Sequence, residues 1–145
     1  MHYTETVYRN PYWPTFPLLQ ITQGCTHNAC KFCTMYKDVE FKLQPMEWIE
    51  EDLKEIASVA PDSTTIQLLS ANPLCMTYGK LKPIFEMINK YLPKMEYIYA
   101  STRVTDITLY PERISQAQDS FKERTGSLLR FKKRLIMVIW IGWQP

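Results

Sequence analysis

Three short apolar runs separated by two amphipathic stretches leave this 145-residue chain few folds to choose from. Pro17-Leu18-Leu19-Gln20-Ile21-Thr22 reads as a short buried strand. Thr64-Thr65-Ile66-Gln67-Leu68-Leu69-Ser70 is rich in β-branched residues and bounded by Asp62-Ser63 and Asn72-Pro73, and Met95-Glu96-Tyr97-Ile98-Tyr99-Ala100-Ser101 follows the same pattern. Between the first two runs, Met46, Ile49, Leu53, Ile56, Ala57 and Ala60 recur at steps that give a helix one apolar face. Pro45 suits its first turn, Glu47, Glu50 and Glu51 favour the positive end of its dipole, and Pro61 marks its stop. A second helix is predicted from about 77 to 91, with Leu81, Ile84, Phe85, Ile88 and Leu92 inward and Pro93 beyond its end. Strand, helix, strand, helix, strand at this spacing predicts parallel strands with right-handed crossovers: the start of an open α/β sheet or of a (βα) barrel.

Directly after the first strand come three cysteines in the spacing C-x4-C-x2-C, within Gly24-Cys25-Thr26-His27-Asn28-Ala29-Cys30-Lys31-Phe32-Cys33-Thr34-Met35-Tyr36. Three thiols in one compact loop suit a soft metal, zinc or an iron–sulfur cluster. A closed zinc site takes four ligands, and an electron-transfer cluster usually takes four cysteines. The remaining cysteine, Cys75, is forty-two positions past Cys33, and His27 sits awkwardly inside the loop. Three thiolates on a four-iron cluster would leave one iron open for a small molecule.

The stretch Gln20-Ile21-Thr22-Gln23-Gly24-Cys25-Thr26-His27-Asn28-Ala29-Cys30-Lys31-Phe32-Cys33-Thr34-Met35-Tyr36-Lys37 resembles the cluster loop of radical S-adenosylmethionine (SAM) proteins. It is similar in particular to a subgroup with one residue more between the first two cysteines than the commoner C-x3-C-x2-C. The resemblance runs through Ile107 and implies a TIM-like (βα) barrel, of which about three to four βα units are present. It implies a [4Fe–4S] cluster on Cys25, Cys30 and Cys33, with the amino and carboxylate groups of SAM on the fourth iron. Electron donation into the sulfonium would release a 5′-deoxyadenosyl radical that takes hydrogen from a substrate the sequence does not identify. The electron would come from a donor such as a flavodoxin or ferredoxin. Phe32 matches the aromatic residue that lies near the adenine. Ser70-Ala71-Asn72-Pro73 stands where most radical SAM proteins have Gly-Gly-Glu against the SAM amino group, so Ser70 and Asn72 are the candidates for that contact, without the carboxylate.

Residues 1–16, rich in Tyr and Pro, read as an extended lead-in, and 17–107 as the N-terminal part of a radical SAM core. In 108–145 a helix over 111–122 and an apolar strand over 135–142 flank a basic, poorly patterned stretch, which reads as a tail foreign to the rest, as a shifted frame would produce. On this reading the chain is the front part of a longer barrel and is short for catalysis on its own. A net charge of +2 gives little support to nucleic-acid binding, and the apolar run at 135–143 is about half a membrane span. A cytoplasmic, reducing setting follows from cysteines grouped three to one and from an N-terminus without signal-peptide pattern.

Three other readings of the same residues stay open. The spacing is also that of plant-type [2Fe–2S] electron carriers, with Cys75 as fourth ligand, and a zinc module would use His27 or Cys75. The last is a truncated product that keeps the loop but cannot enclose SAM. Thr102 to Asp106 follows the third strand, and Arg103 reads either as a surface arginine or as a planar fork for a carboxylate.

Overall fold

A computed structural model of the chain describes residues 1–12, 14–103, 105–106, 112 and 115–116, together with the backbone of a strand at Arg134–Trp140. The elements are β1 (Leu18–Gln20), β2 (Thr22–Gln23), β3 (Lys42–Leu43), α1 (Met46–Val59), β4 (Thr65–Leu69), a 3-10 turn (Pro73–Cys75), α2 (Tyr78–Tyr91), β5 (Tyr97–Arg103) and β6 (Arg134–Trp140). β1, β4, β5 and β6 form one parallel sheet in that order, so each strand lies beside its predecessor in sequence. The class is mixed α/β with a parallel sheet, as the alternation predicts. The apolar strand expected over 135–142 runs over Arg134–Trp140, paired with β5 from Tyr97↔Arg134 to Arg103↔Trp140. The helix expected over 111–122 and the boundary after Ile107 lie largely outside the described residues.

Alternation along each strand decides which residues meet the helices. Leu19, Ile66, Leu68, Ile98 and Ala100 point to one face and pack with Ile49, Leu53 and Ile56 of α1 and Leu81, Ile84, Phe85 and Ile88 of α2. Each such aliphatic side chain contributes about 1.5–3 kcal/mol by leaving water. Met46, expected on this face, is exposed, while Asp52, which breaks the apolar pattern, is buried beneath the N-terminal segment. The opposite sheet face is more polar, with Gln20, Gln67, Tyr99 and Ser101, and the N-terminal segment lies against it: the Phe16 and Tyr99 rings meet at 5.0 Å, tilted by 41°. No helix among the described residues is long and apolar enough to cross a membrane.

The sequence gives no warning of how firmly residues 1–8 are held. Asp52, 1% exposed on α1, accepts the His2 backbone N–H at 2.9 Å and faces His2 Nδ1 at 2.7 Å. The His2 ring stacks on Trp48 at 5.0 Å. Thr4 donates its N–H to Gln20 Oε1, and its hydroxyl accepts from both Gln20 and Gln44. Further along, Glu5 and Tyr8 reach the cysteine loop.

Candidate functional site

The loop that carries the cysteines is closed at its base by β2 and β3, which pair antiparallel through Thr22↔Leu43 and Gln23↔Lys42. Gln44 N–H adds a bond to Ile21 O at 3.1 Å, and Gln23 Nε2 donates to Glu40 O at 3.1 Å. Residues 24–41 therefore leave the sheet and return to it at one point, the C-terminal end of β1, the edge where parallel α/β sheets place their ligands.

Gly24 opens the loop with φ +68, a left-handed conformation that glycine takes without steric cost. A Cβ there would stand 2.9 Å from Val39 O and 3.0 Å from Glu40 O. Both polar groups of Gly24 are held by side chains. Its N–H donates to Glu5 Oε2 at 2.6 Å, and its carbonyl accepts the Ser70 hydroxyl at 2.8 Å. Ser70 sits just past β4 with φ +89, a conformation rare for serine and costing of order 1–3 kcal/mol. Asn72, fully buried, donates to Thr26 Oγ1 at 2.7 Å and to Asp106 Oδ2 at 3.2 Å. Ser70 and Asn72, expected against a cofactor's amino group, thus hold the two residues on either side of Cys25.

Asp106 is the far end of this network. Arg103 donates to both of its oxygens, from Nε at 3.2 Å and from a terminal nitrogen at 3.1 Å. Desolvation pushes the Asp106 carboxyl up, but the hydrogen bonds from Arg103 and Asn72 and the guanidinium charge outweigh it and leave it below the usual range. Of the two readings of Arg103, the planar fork for a carboxylate is the one found, and the carboxylate is that of Asp106. Arg103 also stands within electrostatic reach of Cys25 and Cys75.

None of the four cysteines forms a disulfide, and all are partly exposed. Cys75, packed against the apolar core in the 3-10 turn, has its thiol pushed up to about 11, chiefly by burial and then by the Asp106 charge. Tyr36 lies buried under the loop, with its phenol pushed well up by burial. Phe32 is 54% exposed and His27 is exposed. Asn28, at φ +45, donates to Tyr36 O at 2.7 Å, and Tyr8 donates to Met35 O at 3.3 Å. Beside the loop a cleft of about 390 Å³ is lined by Thr26, Phe41, Lys42, Cys75, Thr77 and Lys80, among others.

Among the described residues no three His, Cys, Asp or Glu side chains stand in metal-ligating geometry. By type and number the thiols of Cys25, Cys30 and Cys33 are a donor set that an iron–sulfur cluster would accept, and the loop would have to draw them together to hold one. The Glu5 anchor and the role of Ser70 and Asn72 as loop holders are the parts of the site that sequence reasoning missed. Glu5 carries no local signal, and Ser70-Ala71-Asn72-Pro73 gives only the position of a loop.

Taken together, these features define a parallel α/β unit with a thiol-rich loop at the C-terminal end of its first strand. No protein-family model, no curated protein and no solved structure matches the chain.

Proposed function

We propose that this chain is the front part of a radical SAM-type (βα) barrel, binding a [4Fe–4S] cluster through Cys25, Cys30 and Cys33 and SAM at the iron they leave open. The observation that carries this reading is the contrast among the thiols. Three share a loop at the ligand-binding edge of the sheet, whereas the fourth, Cys75, stands outside that loop in the 3-10 turn and packs against the apolar core. Three thiols from one loop with the fourth engaged elsewhere is the pattern that leaves one corner of a four-iron cluster open.

The sheet order supports the barrel, because strands added one beside the next with helices on one face are how such a barrel begins. On the polar face of the four-stranded sheet, Gln67 Oε1 is buried without a hydrogen-bond partner among the described residues, an acceptor that a polar molecule could satisfy. The 390 Å³ cleft is in the size range of small-ligand pockets, and Lys42 and Lys80 give it a lining suited to a carboxylate. A cluster held by Cys25, Cys30 and Cys33 would supply one-electron reduction of the SAM sulfonium, the chemistry from which hydrogen abstraction from a substrate would follow. The chain's own residues supply the rest. Ser70 and Asn72 act on the cofactor through the loop they hold, Phe32 offers an exposed ring for the adenine, and a flavodoxin- or ferredoxin-like donor in the cytoplasm provides the electron.

The test is anaerobic reconstitution with iron and sulfide, followed by EPR with and without SAM. A [4Fe–4S]⁺ signal that shifts on adding SAM is the expected result. A spectrum indifferent to SAM, and lost in a Cys75→Ala variant, identifies a four-thiol electron-transfer centre instead; failure to assemble any cluster identifies an inert loop.

A further inference from the structure

On the cluster-loop reading above, we propose that Glu5 is a positioning residue that presets Cys25, through Gly24, as the anchor thiol of the loop. The three cysteines are not held alike. Cys25 has both neighbours tied by hydrogen bonds to the sheet's loops or to the segment lying on it. Gly24 is fixed at its N–H by Glu5 (2.6 Å) and at its carbonyl by Ser70 (2.8 Å), and Thr26 is fixed at its hydroxyl by Asn72 (2.7 Å). The tethers on the far side, Asn28 to Tyr36 and Tyr8 to Met35, tie the loop to itself and to the N-terminal segment.

The chemistry of the Glu5 contact makes it the strongest of these ties. A carboxylate accepting a backbone N–H is a charge-assisted bond, and this one is short. Glu5 is half-buried, and among the described residues no cation pairs with it; its neighbours are the Gly24 N–H and the Ser70 hydroxyl. Its carboxylate is therefore directed at the loop and not into a surface ion pair. The tie fixes the N–H of a residue whose left-handed φ sets the direction in which the chain enters Cys25. Cys25 then meets incoming iron already oriented, and Cys30 and Cys33 close on it afterwards.

The test needs no iron. In the reduced, metal-free chain, the alkylation rates of Cys25, Cys30 and Cys33 by iodoacetamide are resolved by tandem mass spectrometry. Glu5→Ala is expected to speed Cys25 roughly tenfold, the effect of losing one charge-assisted hydrogen bond, while Cys30 and Cys33 stay within about twofold. Glu5→Gln keeps an oxygen that accepts the Gly24 N–H, so Cys25 is expected within about threefold of the parent. His2→Ala removes the ring that stacks on Trp48, away from the loop and with Thr4 still holding the segment, and leaves all three rates within about twofold. A uniform rise at the three cysteines, equal effects of Gln and Ala, or a His2→Ala effect as large as that of Glu5→Ala overturns the proposal. Amide exchange of the unmodified chain gives a second reading: a Gly24 N–H as unprotected as an exposed loop amide overturns it too. Cluster uptake by the parent chain is scored separately, so a failed cluster and a failed anchor give different patterns.

Discussion

Gly24 and Gly79 make a paired experiment in which one substitution, glycine to alanine, is expected to act with opposite signs. At Gly24 an alanine has to adopt φ +68, which costs an L-residue about 1–2 kcal/mol. Its Cβ also meets Val39 O at 2.9 Å and Glu40 O at 3.0 Å. Both are backbone atoms of the return arm, which β2 and β3 pin, so they cannot swing aside as a flexible side chain would. Overpacking of this kind adds about 1–3 kcal/mol. Together the two effects predict a loss near 3 kcal/mol, or about 10 °C in melting temperature for a chain of this size. At Gly79, in the first turn of α2, an added Cβ has nothing within 4 Å and φ is not positive. There alanine gains about 0.5–1 kcal/mol from helix propensity. Urea unfolding followed by circular dichroism measures both. A Gly24→Ala chain within about 0.5 kcal/mol of the parent would show that the return arm yields, and the closed-loop geometry would be wrong. A Gly79→Ala chain destabilised as much as Gly24→Ala would show that glycine replacement is harmful for reasons unrelated to either site.

Three further outcomes are expected. Asp52→Ala removes the acceptor of the His2 N–H and leaves that donor without a partner beside α1; it should cost about 1.5–3 kcal/mol and open residues 1–16 to limited proteolysis while α1 stays helical. Cys75, whose folded thiol is raised from 9.0 to about 11, contributes stability that is full below pH 9 and is lost as pH rises to 11, so its alkylation should stay slow until the upper end of that window. Arg103→Lys exchanges a two-point fork on Asp106 for a point charge; a loss of about 1 kcal/mol is expected, with a larger loss at low pH absent because the depressed Asp106 carboxyl gives its stability above the ordinary carboxylate range and surrenders it on acidification in both chains.

The parallel α/β framework was legible because its signals are local. The residues of α2 that face the sheet were all visible in the three-and-four periodicity, and the strands lay within two residues of their runs. Periodicity could not show which residues the rest of the chain would cover. Met46 matched the apolar face of α1 but stays exposed, and Asp52 broke the pattern yet is buried, because the N-terminal segment folds over it. The same limit applies to the site. Its thiols declare themselves by spacing, but their supports come from 19 and 46 positions away, through Glu5–Gly24, Ser70–Gly24 and Asn72–Thr26. Contacts at such separations follow no repeat in the sequence. The β2–β3 bridge was invisible for a related reason: two residues on each side are too few to form an alternating pattern.

The docking of residues 1–8 also sets an order of events during synthesis. These residues are made before the groups that hold them: their acceptor on α1 is fifty positions further along and Gln44 is forty. They cannot be seated until α1 has emerged, so a segment made ahead of that helix finds its place only after it.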